Sequence, residues 1–592
     1  LVDPWTLAQV HSRWDADVAS HPGDNVQRSM RGIVVDISGY DWGGDHPLHL
    51  PDEDLVIYEM HVGGFTKHAS SGVEHPGTFA GVIEKIPYLQ KLGINAIELL
   101  PVMAFDPQSV PQSCPTKTNY WGYNTTSFFS PHPDYCVSPE RGTHIDEFRE
   151  MVKALHKAGI AVILDVVFNH TAEAGHQGPT VNFKGFCNEF FYHLNDEDKE
   201  HYRDFTGCGN TLNSNHPFVT HFIVSCLEFW VRELHVDGFR FDLASAMMRG
   251  EGGEPMWHAP VLWSIEFSRR LLRSQIIAEA WDAAGLYQVG DFPGYRWKEW
   301  NGLFRDDMRR FLRGDQGLTE AISKRLTGSP DLYGDDGRQP VSSVNFITCH
   351  DGFTLNDLLS YHYKVNQANG EDNRDGTNDN LSFNCGFEGQ TDDGAVEHLR
   401  GRQIKNAAAL LLLSHGVPML LYGDECRRTQ RGNNNAYCQD NPIGWFDWNL
   451  LETYPEIFRF FRKMIAFRQR HRALRRDRWA SDTCNARGLR QISWHGCKLN
   501  DPGFSDPFAR ALSVTLGGED EGADLHLMIN MYVKPLHFEL PYLQGRRWYR
   551  AVDTAQPMPM DVTSEGKEQP VLDSLLTVDA RSVVVLLSDA PR

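Results

Sequence analysis

The 592-residue chain carries 57 Lys and Arg against 78 Asp and Glu, a formal net charge of −21. Such a surplus of acid excludes a nucleic-acid partner, which needs clustered cations, and suits a neutral substrate. No apolar run reaches the roughly 18 residues of a membrane helix, and the eleven Cys include no CxxC pair.

Residues from Leu1 to about Leu50 are rich in Asp, His, Gly and Pro and show little periodicity. They read as a connector (1–50) from a missing or shortened β-domain, and a chain that begins at Leu1 is expected to be either a processed form or one that has lost upstream residues. No basic-then-apolar leader is visible, so a cytoplasmic location is expected, or a plastid where a transit peptide has been removed.

Eight strand candidates then follow in order, over Leu55–Val62, Ala96–Pro101, Ala161–Val167, Gly238–Asp242, Ser274–Ala280, a weak Trp300–Phe304, Ser343–Asp351 and Val417–Glu425. Most are continuous apolar runs, the pattern of strands buried on both faces. Helical periodicity lies between several of them, in GVIEKIPYLQKLG, IDEFREMVKALHKAG and PFVTHFIVSCLEFWVRELH. AAALLLLSHGVPMLLYG is interrupted by Ser414, His415, Gly416 and Pro418 and reads as a buried helix running into the eighth strand. Eight alternations predict a (β/α)8 TIM barrel over 51–480. After about Ala480, short apolar segments between turns predict an antiparallel β-sandwich over 481–592.

Four segments end a strand in an ionisable or hydrogen-bonding residue: DVVFNH (165–170), GFRFDLAS (238–245), IAEAWD (277–282) and FITCHD (346–351). Carboxylates Asp242, Glu279 and Asp351 thereby gather at the carboxyl rim of the barrel, where such folds keep their chemistry. Converging carboxyls suit a reaction that needs an acid, a base and a nucleophile. Alone, Asp242 would be a structural partner of Arg240, Glu279 a loop cap and His170 a core histidine. Four ordered segments in strand context override those bland readings.

The segments resemble the four sequence regions of the α-amylase superfamily of glycoside hydrolases. YEMHVGGFT (58–66), NYWGYNT (119–125), CHDGFTLNDLLSY (349–361), NGEDNRDGTNDN (369–380) and RTQRGNNNAYCQDN (428–441) resemble the isoamylases, nearest to bacterial glycogen debranching enzymes. The resemblance implies a retaining α-1,6-glucosidase acting on glycogen or on phosphorylase limit dextrin. The alternatives it leaves are a 4-α-glucanotransferase and a glucan-binding scaffold subunit. It implies Asp242 as nucleophile, Glu279 as acid/base and Asp351 as the carboxylate that holds sugar hydroxyls. Tyr123, Asn169, His170, Arg240 and His350 are implied as substrate-site residues, with Trp121 and Trp281 as stacking surfaces or core aromatics at even odds. Asp165, in mid-strand, is expected to orient Arg240 and Asn169 more than to touch sugar.

Asn434, in the amide-rich loop after the eighth strand, is expected to contact the branch point. The stretch from Asn373 to Asn380 resembles a calcium loop but lacks its spaced final Glu, and reads as a polar surface loop. No metal and no cofactor are expected. A branched α-glucan is the expected partner, without nucleic acid or membrane, and oligomeric state is left open.

Overall fold

The computed structural model describes residues 1–588 except 112, 115–116 and 519–521. Its centre is a closed barrel of eight parallel strands, β1 (Ile57–Met60), β2 (Ala96–Leu99), β3 (Ala161–Val166), β4 (Gly238–Phe241), β5 (Gln275–Ala278), β6 (Lys298–Trp300), β7 (Ser343–Asn345) and β8 (Val417–Leu421). Each strand pairs with its sequence neighbours, and β8 closes on β1 with Met419 opposite Ile57.

Side chains alternate across each strand, and here the alternation separates two environments. Ile97, Leu99, Val162, Leu164, Phe239 and Phe241 join the large core that packs against the helices. Ile57, Ala96, Ile163, Ile277, Val417 and Met419 form a second apolar cluster inside the barrel. Two residues further along their strands, Glu59, Glu98, Asp165 and Glu279 replace the hydrocarbon with carboxyls, all buried. The lumen is therefore apolar below and ionisable above.

The sixth strand departs from its expected position: it ends at Trp300, and Gly302–Phe304 opens the helix Gly302–Arg313. The reason is a cap. Asn301 accepts the Phe304 N–H at 2.8 Å and its amide reaches the Ser329 and Ser343 hydroxyls, so the chain turns helical immediately after the strand.

Five longer helices surround the barrel: α1 (His144–Lys157), α2 (Pro217–Leu234), α3 (Gly302–Arg313), α4 (Gly394–Leu413) and α5 (Pro455–Arg470). Pro217 at the first turn of α2 and left-handed His235 at its end fix both boundaries. Buried Arg468 on α5 donates to the Leu412, Ser414 and Gly416 carbonyls, capping α4 and holding the turn into β8. No described helix is long and apolar enough to cross a membrane.

The N-terminal residues are bound along the barrel. A two-residue ladder pairs Gln9–Val10 with Arg31–Gly32. Gln9 bonds Ser130 and Thr126, Trp14 donates to Asp106 at 2.8 Å, and Trp42 stacks on His235 at 3.7 Å.

Strands β9 (Ile492–His495), β10 (Ala511–Leu516), β11 (Leu525–Asn530), β12 (Leu536–Glu539), β13 (Trp548–Asp553), β14 (Gln569–Val571), β15 (Leu575–Val578) and β16 (Ser582–Ser588) build the C-terminal part. Six form an antiparallel sheet in the order β9-β10-β11-β16-β13-β14, and β12 pairs with β15. One face of the sheet, with Leu527, Ile529, Val583 and Val585, joins the main core. Its other face, with Met528, Val584 and Leu586, packs on Phe538 and Val578 of the ribbon. Lys405 of α4 and Arg459 of α5 both pair with fully buried Asp561, clamping the sheet to the barrel helices.

Candidate active site

Arg240 organises the rim. It sits two residues before Asp242, so strand alternation points both side chains into the lumen. Its Nη1 donates to both Asp165 oxygens at 2.9 and 2.8 Å and to Asp242 Oδ1 at 3.1 Å. Its Nη2 lies 3.0 Å from Glu279 Oε2, a close contact without a hydrogen bond. The guanidinium is fully buried and packs 4.1 Å over the Trp300 ring. One fixed cation thus touches three carboxyls.

Asn169 holds the other side of Asp242. Its Nδ2 donates at 2.7 Å to both the Asp242 carbonyl and Oδ2, while its Oδ1 accepts from His170. The second His170 nitrogen faces the Tyr123 carbonyl at 2.7 Å. Burial alone would lower the His170 pKa; the neighbouring Cys208 sulfur and Asp242 outweigh it and push it up to about 9. Both ring nitrogens are consumed, so His170 orients Asn169 and Tyr123 and has no free N–H for a sugar.

Leu243, immediately after Asp242, has φ 39° and its N–H donates to Glu279 Oε2 at 2.7 Å. That left-handed turn is costly for a Leu, and it links the two carboxyl-bearing loops directly. Burial pushes the Glu279 pKa up to about 8, with Asp242 adding to the effect and Arg240 opposing it. Burial thus favours the protonated form of Glu279, the form that a general acid needs. Burial also pushes Asp165 up to about 6 against the pull of Arg240. The Tyr123 hydroxyl donates to Asp165. Asp165 is saturated by Arg240 and Tyr123, and it does not reach Asn169, which the sequence reading also gave it.

The Tyr123 ring stacks on His350, centroids 5.1 Å apart at 21°, and Trp121 meets His350 edge-on at 4.9 Å. Trp121 is half-buried at the rim. Trp281 is also half-buried, stacks on Tyr287 at 6.1 Å and packs against both barrel clusters. Asp351 lies at the same rim, exposed, and no described residue pairs with its carboxylate.

Asn434 departs from its expected role. It is completely buried, its Nδ2 donates to the Thr377 carbonyl and Asn380 Oδ1, and its Oδ1 accepts from Asn366, each at 2.8 Å. Such an amide has no valence left for a sugar. Its carbonyl accepts the Gly352 N–H at 3.1 Å, tying the loop after β8 to the residue that follows Asp351. Asn434 is a bridge between loops.

Two lumen carboxyls escape a reading confined to strand ends. Glu59 on β1 accepts the His350 backbone N–H at 2.8 Å and Nδ1 at 2.6 Å. Glu98 on β2 is buried with neither oxygen hydrogen-bonded to a described residue, and burial raises its pKa well above the usual range. Both share a signal with Asp165 that the sequence carries: an acid in mid-strand, two residues beyond an inward apolar residue.

Among the described residues one group could gather around a metal, His11, His132 and Asp134. Its chemistry does not suit one. His132 Nδ1 accepts the Phe105 N–H at 3.3 Å, which puts the imidazole proton on Nε2, the atom that faces Asp134 at 3.6 Å.

The α-amylase catalytic-domain family matches residues 60–258, and the C-terminal domain of isoamylases 1–3 matches 493–581. "Isoamylase 1, chloroplastic" of Oryza sativa subsp. japonica is 42% identical over 95% of this chain and 72% of its own length. "Glycogen debranching enzyme" of Cronobacter sakazakii is 42% identical over 86% of this chain and 77% of its own. The chain belongs to the isoamylase-type debranching enzymes of the α-amylase superfamily. Its activity is that of an α-1,6-glucosidase. The fold also matches pullulanase type I from Bacillus subtilis, with a TM-score of 0.74, 22% identity and coverage of 99% of this chain and 75% of that one. The glucanotransferase alternative is not favoured, since these relatives are named as an isoamylase and a glycogen debranching enzyme.

Proposed function

We propose that this isoamylase-type enzyme hydrolyses the α-1,6 branch linkages of glycogen-like glucans, or of the limit dextrin left by phosphorylase, with retention of configuration. The carrying observation is that one guanidinium touches both Asp242 and Glu279 while burial keeps Glu279 protonated. A single fork holding two carboxyls suits the separation of about 5 Å that double displacement needs.

In the first step Asp242 attacks the anomeric carbon as Glu279 gives its proton to the departing O6 of the main chain. The C1–O6 bond breaks and a glycosyl ester with Asp242 forms. In the second, Glu279 takes a proton from water, whose oxygen attacks C1 and releases Asp242. Asp351 holds hydroxyls of the distorted ring, and His350 offers the Nε2 that its Glu59 contact leaves open. Tyr123 supplies the aromatic platform, with Trp121 and Trp281 lining further glucose positions. All eleven cysteines are free thiols, which supports a reducing, cytosol-like compartment.

The test is chromatography of the products freed from glycogen and from phosphorylase-treated glycogen, with NMR of the first turnover. Linear oligosaccharides bearing an initial α-anomer are expected; lengthened α-1,4 chains or an initial β-anomer would overturn the reading.

A further inference from the structure

A cavity of about 870 Å³, whose lining includes none of the rim carboxylates, opens between residues 327–335, which lead towards β7, and β9, the edge strand of the C-terminal sheet. Its size falls within the roughly 300–1,000 Å³ of small-molecule sites. Two half-buried indoles line it. Trp479 is fixed by its Nε1, which donates to the Arg338 carbonyl at 2.8 Å, and Trp494 by β-pairing with Val514 and an edge contact to Phe504 at 6.1 Å.

The polar side chains of the same wall are unspent. Asp335, Asp482, Arg490 and Asn500 are exposed, and none makes a side-chain hydrogen bond or ion pair with a described residue. Elsewhere this protein pairs its charges densely, through Asp561, Asp524 and Glu299 for example. Fixed aromatic faces beside free carboxylate, guanidinium and amide groups are the chemistry that binds a sugar: the ring's C–H face packs on an indole while planar polar groups take paired hydroxyls. Two acids against one Arg reject a polyanion, and four polar groups reject a purely apolar ligand.

We propose that this cavity is a second, non-catalytic binding site for the α-1,4-linked stretches of the branched glucan on which the enzyme acts. The proposal rests on the debranching function argued above. A polymer held here meets the catalytic rim at raised effective concentration, so the site lowers KM for large substrates and leaves short ones untouched.

The test has two arms. In the Asp242→Asn background, calorimetric titration with maltoheptaose should show two sites per chain, falling to one in Trp494→Ala and in the surface pair Asp482→Ala/Arg490→Ala. In the active enzyme, the same changes should raise KM for glycogen about fivefold with kcat unchanged, and leave KM for a short singly branched oligosaccharide as it was. The surface pair guards against a folding defect in the Trp variant. One-site titration of the parent, an unchanged glycogen KM, or equal shifts on both substrates would overturn the proposal. Absence of any debranching by the parent would instead sink the function, and the titration would still decide the site.

Discussion

Glu59 Oε1 lies 2.6 Å from Nδ1 of His350, and the second Glu59 oxygen accepts the His350 backbone N–H at 2.8 Å. An acid on the first strand therefore fixes both the position and the charge of the histidine that follows the seventh. Burial would lower the His350 pKa; Glu59 overrides it and raises it, with Asp165 adding and Arg240 opposing. Tyr123, Trp121 and Trp300 are the neutral rings against it. Glu59 thus favours the protonated ring, in which Nε2–H is a donor.

Replacing Glu59 by Gln keeps an acceptor but removes the countercharge, so the His350 pKa falls and the ring turns neutral at a lower pH than in the parent. A neutral ring whose proton stays on Nδ1 presents an acceptor where a donor stood. Glu59→Gln should thus lower kcat/KM more at pH 8 than at pH 6. Rate profiles of both proteins decide it, and an equal loss at the two pH values would reduce Glu59 to a packing group.

Asp242→Asn and Glu279→Gln should each nearly abolish hydrolysis in a folded protein. General acid–base assistance alone contributes roughly 10²–10⁴-fold, and loss of the nucleophile removes the covalent route as well. Assay of the purified variants beside their circular dichroism is the check; more than half the activity surviving in either would refute the assignment.

Much of this site was legible because strand runs and acids in a fixed order carry it. Asp242, Glu279 and Arg240 were placed at strand ends, with alternation putting Arg240 and Asp242 on one face, while their roles and the inclusion of Asp165 came from the family resemblance. Glu59 and Glu98 obey the same rule but sit in segments that lack a polar strand end, so a search for rim residues passed over them. The sixth strand was misplaced because WNGLF is apolar enough for a strand, while the Asn301 cap that turns it helical depends on Ser329 and Ser343, far along the chain. Burial of Asn434 was illegible for the same reason: three amides in a row look alike in sequence, and only the packing of 366–380 against them separates a buried bridge from an exposed donor.

The raised Glu279 pKa makes a stability prediction of definite sign. Between its unfolded value near 4.5 and its folded value of about 8, the native state holds a proton that the unfolded chain has lost. Stability from this group is therefore complete below 4.5 and drains away as pH rises towards 8. Glu279→Gln cannot ionise and escapes that loss. Its Tm relative to the parent should climb from pH 5 to pH 8 and level off beyond. The parent's kcat/KM should fall with an alkaline midpoint near 8, where the acid loses its proton. A Tm difference independent of pH would show that Glu279 is ionised in the folded enzyme at neutral pH.

Asn434→Ala should act on stability first and on branch cleavage through it. Removing this amide strips partners from Asn366, Asn380 and the Thr377 carbonyl, and the site is too buried for bulk water to replace them. Each buried polar group left unsatisfied costs about 1–3 kcal/mol, so a clear drop in Tm is expected. Asn433 is likewise buried and donates to Asn369, whereas half-buried Asn435 donates to Asp375 at the margin of the network. The loss of Tm should therefore be large for the 434 and 433 variants and small for Asn435→Ala. Since the Asn434 carbonyl also steadies Gly352 beside Asp351, residual folded Asn434→Ala should show a higher KM for branched substrate. Thermal melts of the three single variants, with KM measured well below each Tm, test both parts. Unchanged melting with lost debranching would restore Asn434 as a direct substrate ligand.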